Sequence, residues 1–241
     1  MAVAAVTLLA ACDDDLTPAD IGQKPATVNV SGYSKSDNLQ LVFNGEPVLI
    51  DDKDTYTGKI ETVLQFVVDE GETNTLSIYN KDAAKELASY EINYDNINEL
   101  SKLNFYNLPE IFLEASVVKP TVRLGYVGYE FIFPNLGEFS GVETDSIKGV
   151  LKKEDGTVLV EFSGIGKKAF TEVQSYRSFN TKVPVYLELY KQDSTEPYTG
   201  TQLIRIAIKQ DSGANLIVLQ EYRDASDKTA VKGEIDIVDY L

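Results

Sequence analysis

The stretch LIRIAIK (203–209) sets Ile204, Ile206 and Ile208 against Arg205 and Lys209 in strict alternation. A period of two sends successive side chains to opposite faces, so the segment reads as a strand with one buried face and one wetted face. The same grammar runs outward in both directions. Val183, Val185, Leu187 and Leu189 share a face before it, and Ile235 and Ile237 close the chain after it. Val158, Val160 and Phe162 follow the turn signal Asp155-Gly156. In the first half, Val28 and Val30 alternate with polar neighbours, and Leu39, Leu41 and Phe43 lead into Asn44-Gly45, a pair suited to a hairpin turn because both residues tolerate positive φ. Ile60, Leu64, Phe66 and Val68 mark a longer strand, followed by Leu76 and Ile78, then Tyr90, Ile92 and Tyr94. Residues 95–103 alone suggest a helical turn, with Asp95 as cap. The expected fold class is all-β, with two tandem antiparallel β-sandwich domains at 26–117 and 118–241.

Internal repetition favours that division. YTG at 56–58 recurs at 198–200, and the same offset pairs Asp69 with Asp211, Gly71 with Gly213, Asp82 with Asp224 and Ala83 with Ala225. An offset larger by one pairs Val30 with Val173, Tyr33 with Tyr176 and Glu91-Ile92 with Glu234-Ile235. A fainter third copy starts at PTVRLGY (120–126), which is similar to ATVNVSGY (26–33).

Composition narrows the function classes. The 241 residues carry a net charge of −16 and no histidine, which argues against nucleic acid as a partner and removes the usual neutral-pH base and commonest transition-metal ligand. A single cysteine cannot form an internal disulfide, and after residue 11 no apolar run approaches the ~20 residues of a spanning helix.

That cysteine has a particular setting. AVAAVTLLAA (2–11) is a short apolar segment ending in small side chains, and Cys12 is followed at once by Asp13, Asp14 and Asp15. The tetrad Leu9-Ala10-Ala11-Cys12 resembles the lipobox of bacterial lipoproteins. The resemblance implies a signal peptide at 1–11, cleavage before Cys12 and acylation of its thiol, hence a membrane anchor. The basic n-region of such signals is missing, and a translation start upstream of Met1 is the expectation. The aspartates are similar to the surface-export signal of Bacteroidota lipoproteins, although a solvated spacer would look the same. Residues 12–25, broken by Pro18, Gly22 and Pro25, read as a flexible acidic tether. Repeated sandwiches on such a stalk resemble the immunoglobulin-like and transthyretin-like surface lipoproteins of that phylum, which implies an outer-membrane location facing the medium.

Candidate chemistry in the body is sparse. GIGKKA (164–169) fits a dinucleotide pattern in spelling but lacks the βαβ context, so it reads as a turn. DDKDTYTG (51–58) gathers three aspartates without EF-hand spacing and reads as a solvated acidic loop. Tyr129, Phe131 and Phe133 share a strand face and read as core, with Tyr126 nearby, while Tyr56 and Tyr198 sit in turns where a ring can plug a sandwich end. Asp145-Ser146-Ile147 and Asp193-Ser194-Thr195 resemble the O-glycosylation acceptor motif of Bacteroidota. No catalytic set, metal site or cofactor is expected. The reading is a non-enzymatic surface lipoprotein that binds, adheres or assembles, with a protein or glycan partner at the cell surface. A glycan-binding accessory of a polysaccharide uptake system and a fimbria-type subunit remain open beside it.

Overall fold

The computed structural model describes residues 22–241 except 83, 109–110, 116 and 180–182, and for 36–38 the backbone alone. Cys12, Asp13, Asp14 and Asp15 lie outside the described residues. The chain is all-β and divides into two compact units. The first holds the described residues up to Ser31 with Asp37–Tyr56 and Ile60–Leu103, and the second holds Gly32–Ser36, Thr57–Lys59 and Asn104–Leu241.

Strands β1 (Gln23–Phe43), β2 (Glu46–Pro47), β3 (Tyr56–Asp69), β4 (Thr73–Asn80), β5 (Lys85–Asn93), β6 (Lys102–Leu108) and β7 (Ile111–Glu114) form one sheet in the order β5-β4-β1-β6-β7, with β2 and β3 also on β1. The 21 residues of β1 give it room for several partners. Gly22 and Gln23 at its start bond Glu70 and Asp69 beside β3, and Leu39–Phe43 pair with β4. The β1–β2 turn is the Asn44-Gly45 pair, at φ 50° and 85°. The expected helical turn is instead an Asn-built turn: the Asn93 side chain accepts from the N–H groups of Asp95 and Asn96, and Asn96 returns a bond to the Asn93 N–H. Asn caps its own backbone here, so no helix is needed and Asp95 is not the cap.

The second unit contains a sandwich. Its sheets are β10-β9-β12-β13 and β11-β8-β14-β15, from β8 (Tyr126–Ile132), β9 (Ser146–Lys153), β10 (Val158–Gly166), β11 (Gln174–Arg177), β12 (Val185–Lys191), β13 (Ile204–Ile208), β14 (Gly213–Arg223) and β15 (Thr229–Asp236). Between them lie Tyr129, Phe131 and Leu219 from one sheet and Leu151, Phe162, Leu187 and Ile206 from the other. One ladder is parallel, β14 beside β8. The outer face of that sheet is also covered: Leu216, Val218 and Ile132 pack with Tyr106, Leu108, Ile111 and Leu113 of the β6–β7 hairpin. This contact explains why the division falls at 103 rather than 117. The hairpin's apolar residues are satisfied by the second unit's sheet, whatever the turn signals near Pro120 suggest.

The repeat has a structural counterpart of limited reach. Hairpin β4–β5 shifts register between Ile78 and Tyr79, and β14–β15 between Val218 and Gln220, the position to which the 142-residue offset carries Ile78. Gly58 and Gly200 share positive φ of 76° and 79°. The copies diverge at the next strand, because β4 meets β1 antiparallel whereas β14 meets β8 parallel. The third copy is not formed alike: residues 120–123 belong to no strand, whereas 26–33 lie within β1.

Candidate functional site

The inward set Val185, Leu187 and Leu189 fixes the opposite face of β12, where Tyr186 and Tyr190 are half-exposed and Glu188 is buried between them at 8% exposure. Register then brings neighbours to them. Tyr186 lies opposite Lys152, Tyr190 opposite Lys148, and Glu188 between Val150 on β9 and Arg205 on β13. The result is a charged aromatic cluster on the open face of the β10-β9-β12-β13 sheet.

Glu188 anchors it. Its Oε2 accepts from Lys152 Nζ at 2.5 Å and from the Tyr190 hydroxyl at 2.5 Å, and Arg205 Nε lies 3.7 Å from Oε1. The Arg205 guanidinium stacks 4.0 Å from the centre of the Tyr186 ring, while Lys148 and Lys152 stand 5.7 and 5.6 Å from that of Tyr190. The two tyrosines are four residues apart on one strand, about 13 Å. Burial opposes ionisation of Glu188, but the hydrogen bonds from Lys152 and Tyr190 and the charges of Lys152 and Arg205 outweigh it and hold the carboxyl below its ordinary range. The bond to Glu188 raises the Lys152 ammonium in turn. Burial and the neighbouring carboxylate both push the Tyr190 phenol up. Acid and base are therefore both fully charged near neutrality, which suits fixed-charge recognition and stacking rather than proton transfer.

A second polar cluster is internal. Glu221, 1% exposed, accepts from the N–H groups of Phe139 and Ser140, from the Ser140 hydroxyl at 2.7 Å and from the Tyr198 hydroxyl at 2.8 Å. Asn135 bonds both backbone groups of the same residue. This cluster ties the loop at 134–141 and the turn at Tyr198 to β14. Its carboxylate is saturated with donors.

The residues singled out in the sequence fall as follows. In the acidic loop, Asp54 pairs with Lys81 at 2.6 Å and accepts from Gln40, while Asp51 and Asp52 point to solvent at φ 51° and 61°. Among the described residues no group of three His, Cys, Asp or Glu is placed to hold a metal. Tyr129, Phe131 and Phe133 are fully buried, whereas Tyr126 is half-buried beside Arg123. Tyr56 donates to the Val48 carbonyl and is buried; Tyr198 packs edge-on to Phe133. Both rings therefore plug their units. Gly164 and Gly166 belong to β10 and no helix follows. Ser146 begins β9, and the Ser194 hydroxyl accepts from the Glu196 N–H within a turn. Sequence reading missed Tyr186, Glu188, Tyr190, Lys152 and Arg205 as a group. The signal was the polar half of two alternating strands, but their alignment depends on register.

No family model matches the chain, and no curated protein does. Among solved structures, it is similar to a family 26 carbohydrate-binding module from Eubacterium rectale Amy13K, solved with maltoheptaose, at 9% identity over 85% of this chain and 95% of that one, TM-score 0.23. It is also similar to a cell-adhesion candidate from Bacteroides uniformis ATCC 8492, at 11% identity over 90% and 99%, TM-score 0.27. Likeness this distant carries no argument about what this chain binds.

Proposed function

We propose that the chain is a non-enzymatic binding or adhesion module, anchored to the outer membrane through acylated Cys12 and facing the medium. The observation that carries the binding role is the open sheet face on which Glu188 holds Lys152, Tyr190 and Arg205 in place. Its side chains are fixed before any ligand arrives, so little rotamer entropy is left to lose on binding. Two half-exposed tyrosines on a rigid strand favour a glycan as ligand, since planar rings stack on the C–H faces of sugars. The flanking cations favour a glycan that carries carboxylate or sulfate groups. The anchor rests on the lipobox resemblance, and several acyl chains on one cysteine, each buried CH₂ adding roughly 0.8 kcal/mol, hold far more firmly than a single myristoyl chain.

The test is cellular. In a diderm host, protease added to intact cells should degrade the wild-type protein, and Cys12→Ser should abolish acylation and release the protein from the membrane fraction. Acylation with full protection from added protease would retain the anchor and remove surface display.

A further inference from the structure

We propose that the free edge of β3 is a self-association surface, at which two copies of the chain pair antiparallel about Leu64. Sheet edges expose unpaired backbone groups, and proteins blunt them by keeping edge strands short or bulged, or by adding Pro and charge. The other sheet edges among the described residues are managed so. Strands β7, β11 and β13 have 4, 4 and 5 residues, and the β5, β10 and β15 ladders contain register shifts. Strand β3 differs. It has 14 residues, and among the described residues it is hydrogen-bonded to β1 alone. Residues 59–69, KIETVLQFVVD, contain neither Pro nor Gly, and burial alternates without a break along them, as it would not across a bulge.

The side chains beside this edge are also incompletely covered. Leu64 and Phe66 face inward yet remain half-exposed, whereas Val28 and Val30 of β1 are 1% and 2% exposed. On the other face Val63 and Val67 are 52% and 55% exposed. A strand added along the edge would extend the sheet over both pairs.

Charge selects a second copy as the occupant. With Leu64 opposite Leu64, Lys59 of one copy faces Asp69 of the other at both ends, Ile60 faces Val68, Thr62 faces Phe66 and Glu61 faces Val67. Moving the centre to Gln65 sets Glu61 against Asp69, and moving it to Val63 leaves Lys59 against Val67. Odd shifts place inward residues opposite outward ones, which a pleated sheet forbids. Among registers that pair at least nine of the residues 59–69, only the Leu64-centred one pairs opposite charges and keeps the faces, and its two-fold symmetry closes the assembly at two. This surface is separate from the β12 face and does not depend on what that face binds.

The experiment is sedimentation velocity over a concentration series, on the full chain carrying Cys12→Ser. A reversible monomer–dimer equilibrium is expected. Val67→Glu places a carboxylate against Glu61 of the second copy, twice per dimer, and should weaken the dimer about tenfold. Val67→Lys meets the same Glu61 and should leave the dimer as tight as wild type or tighter, and Val158→Lys, on the exposed part of β10, should leave it unchanged. A monomer at every concentration, open-ended oligomers, or equal effects of Val67→Glu and Val67→Lys would overturn the proposal.

Discussion

Glu221 is buried as a carboxylate, and the four donors around it explain how. Burial alone would raise its carboxyl, but the Phe139 and Ser140 N–H groups and the two hydroxyls outweigh that and lower it from 4.5. A lowered folded-state value means the stabilisation is complete above the unfolded value and is lost as pH falls through the folded one. The urea midpoint should therefore fall as pH drops below about 4.5, and Glu221→Gln should remove that part of the dependence while costing about 1–3 kcal/mol, because its amide faces N–H donors. Glycine gives a second prediction at this scale. Gly137 and Gly156 both sit at φ 86°, but a Cβ at Gly137 would strike the Val142 carbonyl whereas one at Gly156 meets nothing within 4 Å. Gly156→Ala should cost about 1–2 kcal/mol in a denaturation experiment, and Gly137→Ala clearly more. Repetition of Tyr56 and Tyr198 made their buried role readable in the sequence. Glu221 was not readable, since its donors come from a loop some 80 residues away.

Strand β14 shows how an element's surroundings are written in its residues. The run Leu216, Ile217, Val218 and Leu219 lacks alternation, and every member is at most 3% exposed because the sandwich core covers one face and the β6–β7 hairpin the other. Leu216→Ala and Leu219→Ala thus open cavities on opposite sides of one sheet, about 10 Å apart along the strand. Each should lower unfolding free energy by about 2–5 kcal/mol, and the double variant should lie within about 0.5 kcal/mol of their sum. A shared cavity would instead make the pair non-additive. Alternation and turn residues disclose strands such as Ile204–Ile208 and the Asn44-Gly45 hairpin. They do not disclose register or the parallel meeting of β14 with β8, because pairing partners are chosen by packing distant in sequence.

At the scale of the molecule, an acidic chain carries one sheet face on which Lys148, Lys152 and Arg205 gather around two tyrosines and a single anchoring carboxylate. The polar half of each contributing strand was visible in the sequence, but the face itself exists only once β9, β12 and β13 align. Cys12 and the aspartates after it lie outside the described residues, and their proposed reading as anchor and export signal rests on local sequence alone. The most direct test of the account is binding to an array of neutral and acidic glycans by the wild-type protein and by Tyr186→Ala/Tyr190→Ala, with matched melting curves for both. The account predicts that wild type binds acidic glycans at least about tenfold more tightly than the variant, as the loss of stacking area and of the rings that hold Arg205, Lys148 and Lys152 requires. Equal binding by the two proteins would contradict it.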